Sequence, residues 1–336
     1  MDYPMKMLCN MKRTLLYLIL LGMPVSQVYG QEDINPVNTG AANYLTIPSD
    51  ARSAAMGGTG VAFTGGDDAI FHNGATSLSD DARKGGVTYT YSPWMRDYES
   101  GFSLHSLGGF YKINKRNAVL LGFRYFGYPK IDGMGEESSS VHPKEMAIEA
   151  GYAYEIIKNL SVSATVKYLY SDMGEVGNSS GASTVAFDLG VLYKQEIKNW
   201  EGASWSVGAQ ASNFGPKINY LTSKEALPAM VKAGGAADLP FLQMHRLILT
   251  ADLGYRLFPD DVQAFSASAG AEYRWMEHFM LRGGYHYGDK DKGDTSYTTA
   301  GAGVKYAGVH LDFAWLFAGS DCLARNTFWL SLGYSF

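Results

Sequence analysis

The sequence predicts an all-β protein, a 14-stranded antiparallel transmembrane β-barrel preceded by an N-terminal plug segment. Three observations predict it. Of the 336 residues 46% are hydrophobic and 18% charged, yet mean hydropathy is near zero, so apolar residues are diluted rather than clustered. From Gly85 onward, apolar residues alternate with small or polar ones in segments of about 9 to 14 residues, as in strands with one face in lipid. The last segment closes on an aromatic residue, Phe336.

Composition removes the competing classes. A membrane-spanning helix needs about 20 consecutive apolar residues, and no such run follows residue 30. The 23 Tyr, 16 Phe and 6 Trp are too many buriable rings for a disordered chain. The 39 Gly show no period of three, which excludes collagen. A net charge of -5 offers no electrostatic footprint for nucleic acid. A soluble β-sandwich remains as the alternative, although it would not obviously need strands this long.

Taken in order, residues 1–30 read as a signal peptide expected to be cleaved. Met11-Lys12-Arg13 supplies the positive start, Thr14 to Met23 the apolar stretch, and Val28-Tyr29-Gly30 the small-residue site before Gln31. A stable N-terminal anchor is the competing reading. Cys9 precedes the apolar stretch and cannot be a lipoprotein cysteine, which leaves Cys322 alone in the mature chain, without a disulfide partner and without the company a metal site requires.

Residues 31–84 do not alternate. They are rich in Gly, Ala, Asp and Asn, including Met56-Gly57-Gly58-Thr59-Gly60 and Gly65-Gly66-Asp67-Asp68. A segment of this length fits inside a fourteen-stranded lumen as a plug. Nucleotide binding is disfavoured, because no Walker Lys-Ser/Thr and no βαβ pattern accompany the glycines.

Residues 85–336 form the barrel. Strands are expected over 85–95, 101–113, 117–128, 144–157, 160–171, 182–194, 203–214, 228–239, 244–257, 262–274, 278–288, 297–306, 308–317 and 327–336. Connections after even strands are mostly brief and those after odd strands mostly long, which suits short periplasmic turns and long extracellular loops. In Leu160 to Tyr170 one face carries Leu160, Val162, Ala164, Val166, Tyr168 and Tyr170, and the other Ser161, Ser163, Thr165 and Lys167. Arg or Lys at the midplane of the lipid face costs about 2–4 kcal/mol, whereas the lumen face tolerates charge. Lys167, Asp188, Asp252, Glu272, Arg274, Arg282, Lys305 and Asp312 all fall on the polar phase and are expected to brace the interior. Phe328, Leu330, Leu332, Tyr334 and Phe336 form the final apolar stripe, similar to the signal by which the barrel-assembly machinery recognises its substrates.

Several runs carry a family resemblance. Asp50-Ala51-Arg52-Ser53-Ala54-Ala55-Met56-Gly57-Gly58-Thr59-Gly60-Val61-Ala62, followed by Phe71-His72-Asn73-Gly74-Ala75, resembles the D-A-R-x-x-x-M-G-x-x-G-V-A and later W-N-P-A stretches of PorV-like proteins, themselves related to FadL-type fatty-acid channels. Tyr91 to Arg96, Leu121 to Phe126, Lys167 to Asp172, Ser212 to Ile218 and Leu311 to Trp315 resemble that family's runs in the same order. The chain departs from the pattern at Gly74, where the family has Pro, and the mature chain looks shorter than typical members. The resemblance implies a FadL-like barrel in the outer membrane of a Bacteroidota-type bacterium, non-enzymatic and without cofactor. It further implies a type IX secretion component that binds C-terminal signal domains of exported proteins and shuttles them to the attachment complex. Implied partners are outer-membrane lipid, a translocon barrel, an attachment-complex protein and cargo C-terminal domains. The alternative is a FadL-like channel for small hydrophobic molecules.

No catalytic constellation stands out, and no catalytic, cofactor or metal residue is assigned. His72, His105, His142, His245, His278, His286 and His310 are scattered; His278 and His286 share the polar phase of one expected strand. Asp289, Asp291 and Asp294 crowd one loop but lack the twelfth-position Glu of an EF-hand. Cargo contacts are expected on the loops 92–100, 129–143 and 215–227, where Trp94, Tyr98 and Tyr220 look suited to anchoring a partner. An apolar pocket between plug and wall would favour transport, and a filled lumen cargo binding.

Overall fold

The computed structural model describes residues 40–63, 66–80, 82–97, 100–131, 140–174, 181–220, 223–320 and 322–336. The expected signal peptide, residues 31–39 of the expected plug and Tyr98 lie outside the described residues.

The strands are β1 (Gly85–Pro93), β2 (Ser103–Asn114), β3 (Asn117–Gly127), β4 (Lys144–Ile157), β5 (Leu160–Asp172), β6 (Ala182–Glu196), β7 (Ser204–Phe214), β8 (Ile218–Asn219), β9 (Lys224–Glu225), β10 (Met230–Phe241), β11 (His245–Arg256), β12 (Ala264–Trp275), β13 (Phe279–Tyr287), β14 (Tyr297–Tyr306), β15 (Val309–Phe317) and β16 (Phe328–Ser335). All but β8 and β9 close into one antiparallel barrel of 14 strands. The seam joins β1 to β16 from Gly86 opposite Ser335 to Tyr91 opposite Leu330. Closure is what lipid demands, because an open edge would leave N–H and C=O groups in hydrocarbon without partners. No described helix is long and apolar enough to cross a membrane. The hairpin β8–β9 was not expected; it folds within the loop between β7 and β10.

The two faces sort as the alternation predicts. Leu107, Leu121, Val166, Leu189, Leu253, Leu281, Leu311 and Leu332 are all exposed, facing the bilayer. Aromatic residues cluster towards the strand ends: Tyr111, Tyr154, Trp205, Trp275, Phe279 and Tyr306 near the short turns, Tyr255, Phe265, Tyr287 and Phe317 near the long loops. Such girdles mark the two membrane interfaces of outer-membrane barrels. The lumen-facing phase is polar and buried, with Ser106, Arg124, Glu149, Lys167, Asp188, Asp252, Glu272 and Asp312.

The described residues between 40 and 84 run through this lumen from one end to the other. Ala41 donates to the carbonyl of Ala226 in the loop before β10, so the described chain begins at the long-loop rim. Lys84 donates to Phe336 at the short-turn rim. Between them lies α1 (Ala51–Ala55), whose Ala51 amide donates to Ser331 Oγ on β16 at 2.9 Å. Asp50 caps it by accepting from the Ser53 amide at 2.6 Å, one of the donors a helix start leaves open.

Glycines on the strands make room for this chain. A Cβ at Gly108 or Gly122 would come within 2.6 and 2.9 Å of the Phe71 ring. A Cβ at Gly270 or Gly284 would meet Met56 at 2.5 and 2.2 Å. Much of the glycine in the wall therefore serves as bays into which the luminal segment is pressed.

Candidate functional site

The lumen divides into an apolar cap, a charged middle and a cavity. At the long-loop end, Tyr44, Leu45 and Ile47 of the luminal segment pack with Leu104, Phe126, Leu169, Leu227, Leu316 and Trp329. Tyr44 stacks on Phe126 at 6.0 Å and Trp94 meets Trp329 edge-on at 6.0 Å. Of the three loop aromatics expected to stand exposed as anchors, the two that are described, Trp94 and Tyr220, turn inward. Trp94 packs on this cluster, and Tyr220 donates to Ser171 Oγ at 2.8 Å. The reason is burial: each ring finds apolar neighbours over the lumen mouth that solvent does not offer.

Below the cap, every charged residue expected inside the barrel is found on the lumen side. Arg124 pairs with Glu149 at 2.6 Å, Lys167 with Asp188 at 2.7 Å, and Arg282 with both Glu272 and Asp312 at 2.5 Å. Glu272 also meets Arg274 at 2.6 Å and Arg52 of the luminal segment at 3.0 Å. Asp252 accepts from the Gly60 and Val61 amides at 2.7 and 3.1 Å. Buried ions of this kind persist only when paired and hydrogen-bonded, and here the pairing links strands to the chain they enclose.

Towards the short-turn rim lies a cavity of about 280 Å³ bordered by Asp50, Asp68, Arg83, Glu277, Lys305 and His310, among others. A smaller space of about 40 Å³ beside His72, Lys167, Gln210 and Lys232 is also polar-lined. The apolar concavities, about 550 and 380 Å³, are bordered by lipid-facing residues such as Leu189, Val231 and Leu253, and Tyr152, Val166 and Phe187. Between the luminal segment and the wall, the larger cavity is bordered mainly by charged and polar side chains, and the smaller one mixes these with Leu45, Ile47, Val61 and Phe71.

The histidines do not come together. His278 lies exposed in the turn between β12 and β13, not on the strand phase expected for it; its ring contacts the Met276 carbonyl at 2.5 Å. His286 faces inward and meets Ser268 and Asp294 at 2.9 Å each. That contact occupies Asp294, while Asp289 accepts from the Asp291 amide at 3.0 Å. The acidic loop is thus tied up in its own turn.

One group was missed by sequence reasoning. Asp50, Asp68 and His72 each place a ligand-type atom within 4.8 Å of the others. His72 Nε2 lies 2.6 Å from Asp50 Oδ2, and Asp68 brings a carboxyl oxygen within 4.8 Å of both. Both Asp50 oxygens are already engaged, by Ser53 and His72, so the group reads as a proton site rather than a cation site. Burial, reinforced by the neighbouring Asp50, pushes the Asp68 carboxyl up to about 7. Burial also raises Asp50 and lowers His72. The only sequence signal was the Asp67-Asp68 pair in a glycine-rich stretch, which does not reveal a partner 18 residues away.

A closed 14-stranded barrel with aromatic girdles, an ion-paired interior and a chain threaded through it defines an outer-membrane protein of the FadL-like fold. The toluene transporter TbuX of Ralstonia pickettii is similar with a TM-score of 0.55 at 15% identity, covering 85% of this chain and 97% of that one. The toluene transporter TodX of Pseudomonas putida gives 0.55 at 12% identity, over 84% and 96%, and the monoaromatic hydrocarbon channel CymD 0.55 at 14%, over 87% and 98%. None of the curated protein sequences compared with the chain matches it. The model of the family described as type IX secretion system protein PorV matches residues 30–263, and the chain belongs to that family. This agrees with the resemblance read from the sequence.

Proposed function

We propose that this chain is a non-enzymatic component of the type IX secretion system that binds C-terminal signal domains of exported proteins at its extracellular rim. It hands them to the attachment complex, with residues 31–84 acting as the plug. The observation that carries this reading is the interior: the threaded segment runs through the lumen, and the larger luminal cavity beside it is bordered mainly by charged and polar side chains such as Asp68, Arg83 and Lys305. Such an interior suits a scaffold more than a conduit for hydrophobic molecules. The docking surface is then the outer edge of the loops that carry Trp94 and Tyr220, whose rings pack over the mouth against Trp329 and Ser171.

The second reading, uptake of small hydrophobic molecules, is supported by the fold shared with the hydrocarbon transporters. It is also supported by a bulge in the wall: the register between β6 and β7 shifts between Phe187 and Leu189, opposite Asn213 with φ of 62°. Bulges of this kind open or re-aim a wall. Pull-down of the protein from detergent-solubilised outer membranes separates the two. Co-recovery of a translocon barrel or of proteins bearing the secretion C-terminal domain supports the first; recovery of bound apolar small molecules alone overturns it.

A further inference from the structure

The carboxyls of Asp50 and Asp68 are 1% and 6% exposed, with oxygens within 4.8 Å of each other. Two buried carboxylates this close cannot both ionise cheaply; Arg52 eases the charge on Asp50, but burial outweighs it. Arg52 is committed to Glu272, Arg124 to Glu149, Arg83 to Asp67 and Asp80, and Arg282 to Glu272 and Asp312. Asp50 also faces Arg52 and Asp312; His72 faces Asp68, Lys232, Asp252 and Arg124. The arrangement is coherent when Asp50 alone is charged. It then accepts from the Ser53 amide, from His72 Nε2–H and from a protonated Asp68.

These three residues tie distant parts of the luminal segment together. Asp50 starts α1, Asp68 precedes the turn at Ala69–Phe71, and the His72 carbonyl accepts from Gln210 on β7. Asp50 and Asp68 also border the 280 Å³ cavity whose other end carries Asp80, Arg83 and Glu277 at the short-turn, periplasmic rim. The route for a proton therefore leads to the periplasm.

We propose that Asp50, Asp68 and His72 form a proton-operated latch: the luminal segment is fastened to itself while Asp68 holds a proton and is loosened when that proton leaves through the periplasmic cavity. Losing it places a second buried charge against Asp50, and the shared hydrogen bond becomes a repulsion. The three groups titrate as a coupled set, so the released proton belongs to the cluster.

The test uses the full chain in detergent micelles. Infrared spectra of wild type across pH 5 to 9 are expected to show a protonated-carboxyl C=O band that vanishes with a midpoint near 7, and Asp68→Asn to lack it. Over the same range, hydrogen-exchange protection of residues 50–72, taken relative to β5 in the same sample, is expected to fall by roughly tenfold or more in wild type. In Asp68→Asn it should stay constant, because an amide still donates to Asp50 and cannot ionise. Absence of the band at pH 6, or a protection ratio in wild type that ignores pH, overturns the latch. Both wild-type measurements decide the matter even if the variant does not fold.

Discussion

Arg52 and Glu272 stand 220 positions apart in the chain and meet through two parallel bonds, Nε to Oε2 at 3.0 Å and Nη2 to Oε1 at 3.1 Å. One belongs to the threaded segment and the other to β12, and neither is solvated: Arg52 is 9% and Glu272 0% exposed. A fork-to-fork contact fixes orientation as well as distance. Arg274 and Arg282 converge on the same carboxylate, so this one residue bridges three cations, with Glu277 and Asp312 supplying further negative charge to Arg274 and Arg282.

Removing that carboxylate is expected to be costly. Glu272→Gln should destabilise the fold by about 3–5 kcal/mol, the range for breaking a buried ion pair from one side. Arg52→Gln should cost less, since Glu272 retains Arg274 and Arg282. Urea midpoints in micelles check the ranking; equal midpoints for both variants would count against a shared hub.

Gly57 joins a left-handed backbone, φ 73°, to a close approach, for a Cβ there would lie 2.6 Å from the Tyr285 carbonyl oxygen. The αL penalty alone is about 1–2 kcal/mol for a residue with a side chain. Gly57→Ala should therefore lift the luminal chain from β13 without opening the wall. Hydrogen exchange should rise in residues 51–62 and stay unchanged in β1 and β16.

Leu121 is 68% exposed at mid-height on β3, and its neighbour Leu120 is 1% exposed inside. Leu121→Arg should cost about 2–4 kcal/mol in a bilayer. The folded fraction, read from unheated gel mobility after refolding into vesicles, should drop for Leu121→Arg. Leu121→Phe, apolar on the same face, should match wild type.

Trp329 is 1% exposed and donates from Nε1 to the Pro48 carbonyl at 2.9 Å. Trp329→Ala should cost about 3–5 kcal/mol, through a cavity in the cap and a carbonyl without its donor. Trp329→Phe keeps most of the volume and should cost about 1–3 kcal/mol for the unsatisfied carbonyl. Thermal melts of the purified protein give the two values.

The barrel was legible because its period of two is imposed by solvents of opposite character on the two faces. Lys144–Ile157 and Tyr297–Tyr306 match the expected limits, and Lys167, Asp188 and Asp252 fell inward as their phase required. Where no such imposition acts, sequence said less. The path of residues 40–84 depends on glycines such as Gly108 and Gly270 far along the chain, a correlation without local periodicity. His278 was assigned to a strand, but the Met276 and Glu277 pair adopts positive φ and turns the chain just before it. Asp50, Asp68 and His72 meet only because a glycine-rich path folds back on itself, which residue types alone do not announce.

The threaded segment runs from Ala41 beside Ala226 at the outer rim to Lys84 beside Phe336 at the inner one, so it ends where the seam begins. Filling and seam are therefore one continuous piece of chain. The strand that closes the ring against β16, from Gly86 opposite Ser335 to Tyr91 opposite Leu330, is the direct continuation of the chain inside it, as a cork tied to the neck of the bottle it stops.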